Sequence, residues 1–178
     1  MSSIAFVLGQ KPPVLGKHSV DGMLFANSAI GFTALAWLGE QAGIVLDARL
    51  HLYALAIELS FKSLALRSGA TPGECKKAGH RISEVIRLIE NRGVEVPAGL
   101  KQRLNHDDWF KKMLKVRYPI KIDNPSLDET VFFHKNYPEM IAAILEIPCA
   151  CPLHYADGGA IGEIKVQLRT LKSVPTIA

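Results

Sequence analysis

With 178 residues, 48% of them apolar and 21% charged, the chain has the composition of one soluble globular domain, long enough to bury a real core. Its formal net charge of +4 is too mild an excess to imply a nucleic-acid partner by itself. Three cysteines, Cys75, Cys149 and Cys151, do not make a secreted disulfide framework, so the expected compartment is reducing and cytoplasmic. The first residues lack the basic, apolar and small-residue pattern of a signal peptide.

In chain order, residues 3–8 have the composition of a short strand, ended by Lys11-Pro12-Pro13. Asp21 is placed to cap a helix running to about Gln41, with Met23, Leu24, Ala26, Ile30, Phe32, Leu35 and Leu38 on broad apolar faces. Residues 22–39 carry no charge and just reach the length of a membrane span. Asn27, Ser28, Thr33 and the internal glycine favour a buried bundle helix instead. Ala42-Gly43-Ile44 reads either as a continuation or as a short connection, and a short link would set the next helix antiparallel to it.

That next helix, residues 47–69, is rich in Leu and Ala, free of Pro and stopped by Gly69. At ~100° per residue, Asp47, His51, Glu58 and Lys62 share one stripe, while Arg49, Ser60 and Arg67 fall roughly opposite. Apolar residues fill both flanks, which marks this helix as the centre of a bundle and leaves one polar stripe to face water.

A loop over residues 70–79 follows, punctuated by Pro72, Gly73 and Gly79. His80 opens a helix in which Ile82, Val85, Ile86 and Ile89 recur at i, i+3, i+4, i+7, ending at Gly93. Pro97 opens another, through Lys115, broken at Arg117-Tyr118-Pro119. Ser126-Leu-Asp-Glu129 has the form of a capping box for a helix to about Leu145, kinked or restarted at Pro138. Beyond it, residues 163–170 alternate polar residues with Ile164, Val166 and Leu168, the period-two pattern of a half-exposed strand. Asp157-Gly158-Gly159 reads as its turn and residues 149–155 as its hairpin partner. The expected architecture is a single, mainly α domain over 1–178. It comprises an up-and-down bundle of about five helices across residues 20–147 and a C-terminal β strand or hairpin in residues 148–178.

Four constellations carry chemistry. Glu58 and Lys62, spaced i, i+4 with the acid first, form either a surface ion pair or, facing a groove, a tuned site with His51 two turns earlier. His80 after Gly79 either caps a helix end or lies at a phosphate site. The basic run Lys101, Arg103, Lys111, Lys112, Lys115, Arg117 and Lys121 is either a solvated helix face or a phosphate-facing patch. Cys149-Ala-Cys151-Pro-Leu-His154 falls short of a zinc site, which needs a fourth ligand and usually a longer spacing. No cofactor or metal is expected.

Residues 55–69 (LAIELSFKSLALRSG), followed by Gly79-His80, an Ile-rich helix and Arg117-Tyr118, resemble the HEPN domains. These are small helical domains found beside minimal nucleotidyltransferases and in prokaryotic defence and toxin systems. The likeness covers about residues 20–147. It implies a helical fold and a homodimer that binds nucleotide, RNA or a partner protein, with no membrane. Many such domains are metal-independent ribonucleases acting through Arg-x4–6-His, and that spacing is absent here. His51 has Arg49 only two residues before it, His80 has Arg67 thirteen back, and His106 has Arg103 three back. The resemblance thus implies a non-catalytic binding or dimerisation module, with Glu58, Lys62, His80, His51 and Arg117 as its ligand surface. The alternatives are a ribonuclease using a diverged histidine and a purely structural oligomer.

Overall fold

A computed structural model describes residues 18–44, 46–104, 137–155 and 158–173. Within them lie seven helices and no strand. They are α1 (Ser19–Gln41), α2 (Leu46–Arg67), α3 (Pro72–Ala78), α4 (Ile82–Glu90), α5 (Ala98–Leu104), α6 (Tyr137–Leu145) and α7 (Gly159–Lys172). The mainly helical reading holds, while the count exceeds the five expected. The strand of residues 3–8, the capping box at Ser126 and Arg117 lie outside the described residues, as does most of the basic run.

The centre is α2. Tyr53, Ala54, Ala56, Ile57, Phe61, Leu64, Ala65 and Leu66 are all buried, and α1, α3, α4 and α6 pack around the helix. A helix buried on most of its circumference has little room for a solvated polar stripe. Accordingly Ser60 and Arg67, expected on the water side, are inside, as is Ser63. The two serines satisfy their hydroxyls locally: Ser60 donates to the Ala56 carbonyl at 2.7 Å, and Ser63 accepts from Arg67 Nε at 3.2 Å.

The pairing of α1 and α2 is antiparallel. Gly22, near the start of α1, lies against Ser63 and Arg67, and Gly39, near its end, lies against Arg49. The link turns through Gly43 at φ +68°, with Ile44 N–H closing on the Gly39 carbonyl at 2.9 Å. Small residues on the buried face of α1, namely Gly22, Ala26, Ala29, Ala34, Ala36 and Gly39, let the two backbones approach closely. By length and composition alone α1 is apolar enough to cross a membrane; here that face rests on α2. Its outer face exposes Val20, Met23, Leu24 and Leu35. Asp21 sits in the first turn and the N-cap is His18.

The segment expected as a loop after Gly69 contains α3. Pro72 and Gly73 signal a turn, but Pro is well tolerated at a first helical position, where its missing N–H has no partner to lose. Thr71 and Glu74 complete a capping box: Thr71 Oγ1 accepts from Glu74 N–H at 3.2 Å, and Thr71 N–H donates to the Glu74 carboxylate at 2.8 Å. Gly79 ends α3 at φ +61°. In α4, Ile82, Val85, Ile86 and Ile89 are buried as their spacing predicts.

At the C-terminus the expected strand is helix α7. Ile164, Val166 and Leu168 satisfy a period of two, but Ala160, Ile164 and Leu168 satisfy the helical period, and these three are the buried ones. Val166, which a strand would bury with its neighbours, is 51% exposed. The turn signal at Gly158-Gly159 becomes a helix start, where Ala160 N–H donates to Glu146 Oε1 at 2.7 Å. The helix packs on α1 and α6. Residues 149–155 form no hairpin; their backbone is irregular, tied to α2 where Cys151 N–H donates to the Arg67 carbonyl at 3.2 Å.

The α1–α2 contact makes the same substitution act oppositely at two glycines. A Cβ at Gly22 would meet Arg67 Cγ at 2.7 Å and the Ser63 carbonyl at 3.2 Å, whereas one at Gly31 meets nothing within 4 Å. Gly22→Ala should destabilise by about 1–3 kcal/mol. Gly31→Ala should stabilise by about 0.5–1 kcal/mol by removing a mid-helix glycine. Urea unfolding of the two variants beside the parent measures both.

Candidate functional site

The residues that bring α2 and the α3–α4 turn together are polar. Glu58 projects from α2 with its side chain 5% exposed. Lys62, one turn later and 13% exposed, donates from Nζ to Glu58 Oε1 at 2.6 Å. His80, in the turn between α3 and α4, places Nδ1 2.8 Å from Glu58 Oε2. One buried carboxylate therefore holds a cation on one oxygen and an imidazole on the other. Since the carboxylate accepts, the proton of this contact belongs on Nδ1, which leaves Nε2 as the free nitrogen of a ring 58% exposed.

Local folding explains the arrangement. The four-residue spacing sets Glu58 and Lys62 on one face of α2. The carboxylate of Glu74 is held by Thr71 and also accepts from Arg92, beyond the end of α4, at 2.8 and 2.9 Å. This clasp joins both ends of the α3–α4 unit, and His80 lies in the turn between them. Cys75 of α3 is also buried here; burial pushes its thiol up, against the pull of the Lys62 ammonium.

Of the five expected site residues, the structure joins Glu58, Lys62 and His80. His80 is not a helix cap: Arg81 is the N-cap of α4 and offers no capping side chain. The imidazole turns to Glu58 because a buried carboxylate is the stronger acceptor for its N–H. His51 is half-buried with its Nδ1 lacking a hydrogen-bond partner and makes no bond to this cluster. Arg117 lies outside the described residues. Among the described residues no arginine bonds to His51 or His80, and no three His, Cys, Asp or Glu side chains converge as a metal would require.

Two groups escaped the reading by motif. Lys76, Lys77 and Arg81 are exposed and flank His80 in sequence, forming a basic rim on the turn. Their signal was present as Lys-Lys-Ala-Gly-His-Arg, hidden by treating the stretch as a bare loop. Arg67, read as solvated, is 2% exposed and bonded to the segment after α6. Compared with protein-family models, curated proteins and solved structures, the chain matches none.

Two measurements probe this geometry. Glu58→Gln leaves Lys62 as a poorly solvated, unpaired cation and should cost about 3 kcal/mol, while His80→Ala, at an exposed ring, should cost less than about 1 kcal/mol. Chemical denaturation of both variants distinguishes them. The Glu74 carboxyl is held down from 4.5 to about 2, first by the Thr71 backbone N–H, then by Arg92 and the Thr71 hydroxyl. A depressed acid contributes stability above its unfolded pKa and loses it as pH falls through the folded one. The Tm gap between the parent and Glu74→Gln should therefore be full at neutral pH and close between about pH 4.5 and 2.

Proposed function

We propose that this chain is a HEPN-like, non-catalytic helical module of the cytoplasm that binds a phosphate-bearing ligand, a nucleotide or RNA, and pairs with a second copy of itself. Its setting is a defence-type system in which a partner protein supplies any chemistry. The observation that carries the reading is the balance of charge at the α3–α4 turn. Lys76, Lys77, His80 and Arg81 are exposed within six residues, while the nearby acids are each committed to a cation. Glu58 holds Lys62 and His80, Glu74 holds Arg92, and Glu84 holds Arg87. Surplus positive charge on an exposed turn favours phosphate. The Glu58–Lys62 pair serves as its support, holding His80 in place, and the outward apolar residues of α1 offer a face for the second copy.

A second reading, a diverged metal-independent ribonuclease, draws on the Glu58–His80 contact. A carboxylate on Nδ1 fixes the orientation of the ring and leaves Nε2 facing outward, the arrangement of a general base. Lys62 would then stabilise charge from below.

Titrating a fluorescent single-stranded RNA at several salt concentrations separates the two. Binding should weaken with salt, and removing Lys76, Lys77 and Arg81 together should reduce the log–log salt slope by about 2. Cleavage that is lost in His80→Ala but kept in a folded surface variant would establish the nuclease. Salt-insensitive or absent binding would sink the phosphate-ligand reading.

A further inference from the structure

The C-terminal end of α2 buries a second cation with a different set of partners. Arg67 is 2% exposed, yet its hydrogen-bond acceptors among the described residues are a hydroxyl, two carbonyls and a sulfur. Nε donates to Ser63 Oγ at 3.2 Å, and Nη2 donates to the Leu145 carbonyl at 3.0 Å. Nη1 donates to the Cys151 carbonyl at 3.3 Å and to Cys149 Sγ at 3.2 Å. Glu146, next along the chain, has its carboxylate on the α7 N-terminus instead. Among the acceptors of Arg67 the Cys149 sulfur is the one that oxidants and electrophiles attack. Cys149 is half-buried, and Cys151, two residues on, is 8% exposed.

We propose that Cys149 is a redox modification site: hydroperoxides oxidise the sulfur that Arg67 holds by a hydrogen bond, and Cys151 resolves the product. In the first step the Cys149 sulfur, its proton released to solvent, attacks a peroxide oxygen. The S–O bond forms, the O–O bond breaks, and the leaving alkoxide or hydroxide takes a proton from solvent, giving a sulfenic acid. In the second, the Cys151 sulfur, its proton released to solvent, attacks the Cys149 sulfur. The S–S bond forms, the S–O bond breaks, and water leaves. The sum is two thiols and a hydroperoxide giving a disulfide, an alcohol or water, and a second water.

The local backbone suits that closure. Residues two apart span at most ~7.2 Å between Cα atoms, and the chain bends at Ala150 and Cys151. A disulfide takes ~4.4–6.8 Å between Cα atoms, within that span. Cys149 Sγ already lies 3.3 Å from the Cys151 carbonyl. Nη1 of Arg67 donates to both atoms. The remaining polar group nearby is Tyr155, whose buried hydroxyl feels Arg67 and Cys149 as well as Glu146 and Glu163.

The test uses the whole chain. Alkylation with iodoacetamide at neutral pH, followed by peptide mapping, should label Cys149 about tenfold faster in the native protein than in the same chain unfolded by denaturant. Partial burial alone would make native labelling slower, so a slower native rate overturns the proposal. With dilute hydrogen peroxide, the parent should form a reductant-sensitive Cys149–Cys151 disulfide. Cys151→Ser should instead accumulate a dimedone-reactive sulfenic acid on Cys149. Oxidation that ignores Cys149, or a Cys151→Ser variant with no dimedone adduct, overturns it equally.

Discussion

Arg67 is the residue on which the architecture depends. Its side chain passes beneath Gly22, where any Cβ would sit 2.7 Å from Cγ, so α1 crosses α2 at a point set by a guanidinium stem. Its head then binds the last carbonyl of α6 and the backbone of the segment leading to α7. One side chain thus joins α1, α2, α6 and the approach to α7. Interior charges are tolerated when hydrogen-bonded at every corner, and removal of the surrounding acceptors would leave the cation costly. This explains why the helix interior carries Ser60 and Ser63 beside it without strain: each hydroxyl has a partner one turn away.

Glu58 solves the complementary problem. Here the buried charge is an anion, and its two oxygens are answered by Lys62 and His80. The asymmetry between the partners matters more than the pair itself. Lys62 is nearly enclosed and serves the acid, while His80 presents most of its ring to solvent. A buried carboxylate that fixes an exposed imidazole converts a flexible turn into a defined surface. The clasp of Glu74 on Arg92 fixes the same turn from its other side.

Much of this was legible in the sequence. The period of Ile82, Val85, Ile86 and Ile89, the Leu/Ala character of α2 and the i, i+4 spacing of Glu58 and Lys62 all lead to what is observed, because each depends on neighbours along one helix. What failed depended on choices between local alternatives. Ile164, Val166 and Leu168 fit two periods at once, and only packing against α1 and α6 decides for the helix. Pro72-Gly73 suggests a break until Thr71 and Glu74 are seen as a reciprocal cap. Arg67 could not be placed at all from its stripe. Its partners lie 78 and 84 residues away, and a charged residue is assigned to water unless such partners are known.

The two polar clusters lie on one rigid element, and that fixes their relation. From Glu58 to Arg67 α2 rises by about 13 Å, along a stretch in which Phe61, Leu64, Ala65 and Leu66 are all buried. A helix packed on several sides does not readily bend or rotate to let one cluster respond alone. Displacement of Arg67 would have to move either the helix end or the 145–151 segment. The segment is the softer of the two: beyond Ile147 its backbone is not helical, and it is tied to α2 through Arg67. The clusters therefore differ in kind. At the α3–α4 turn, buried charge supports an exposed basic surface. At the end of α2, buried charge is itself the reactive element's neighbour, and what it touches can change chemically without α2 changing shape.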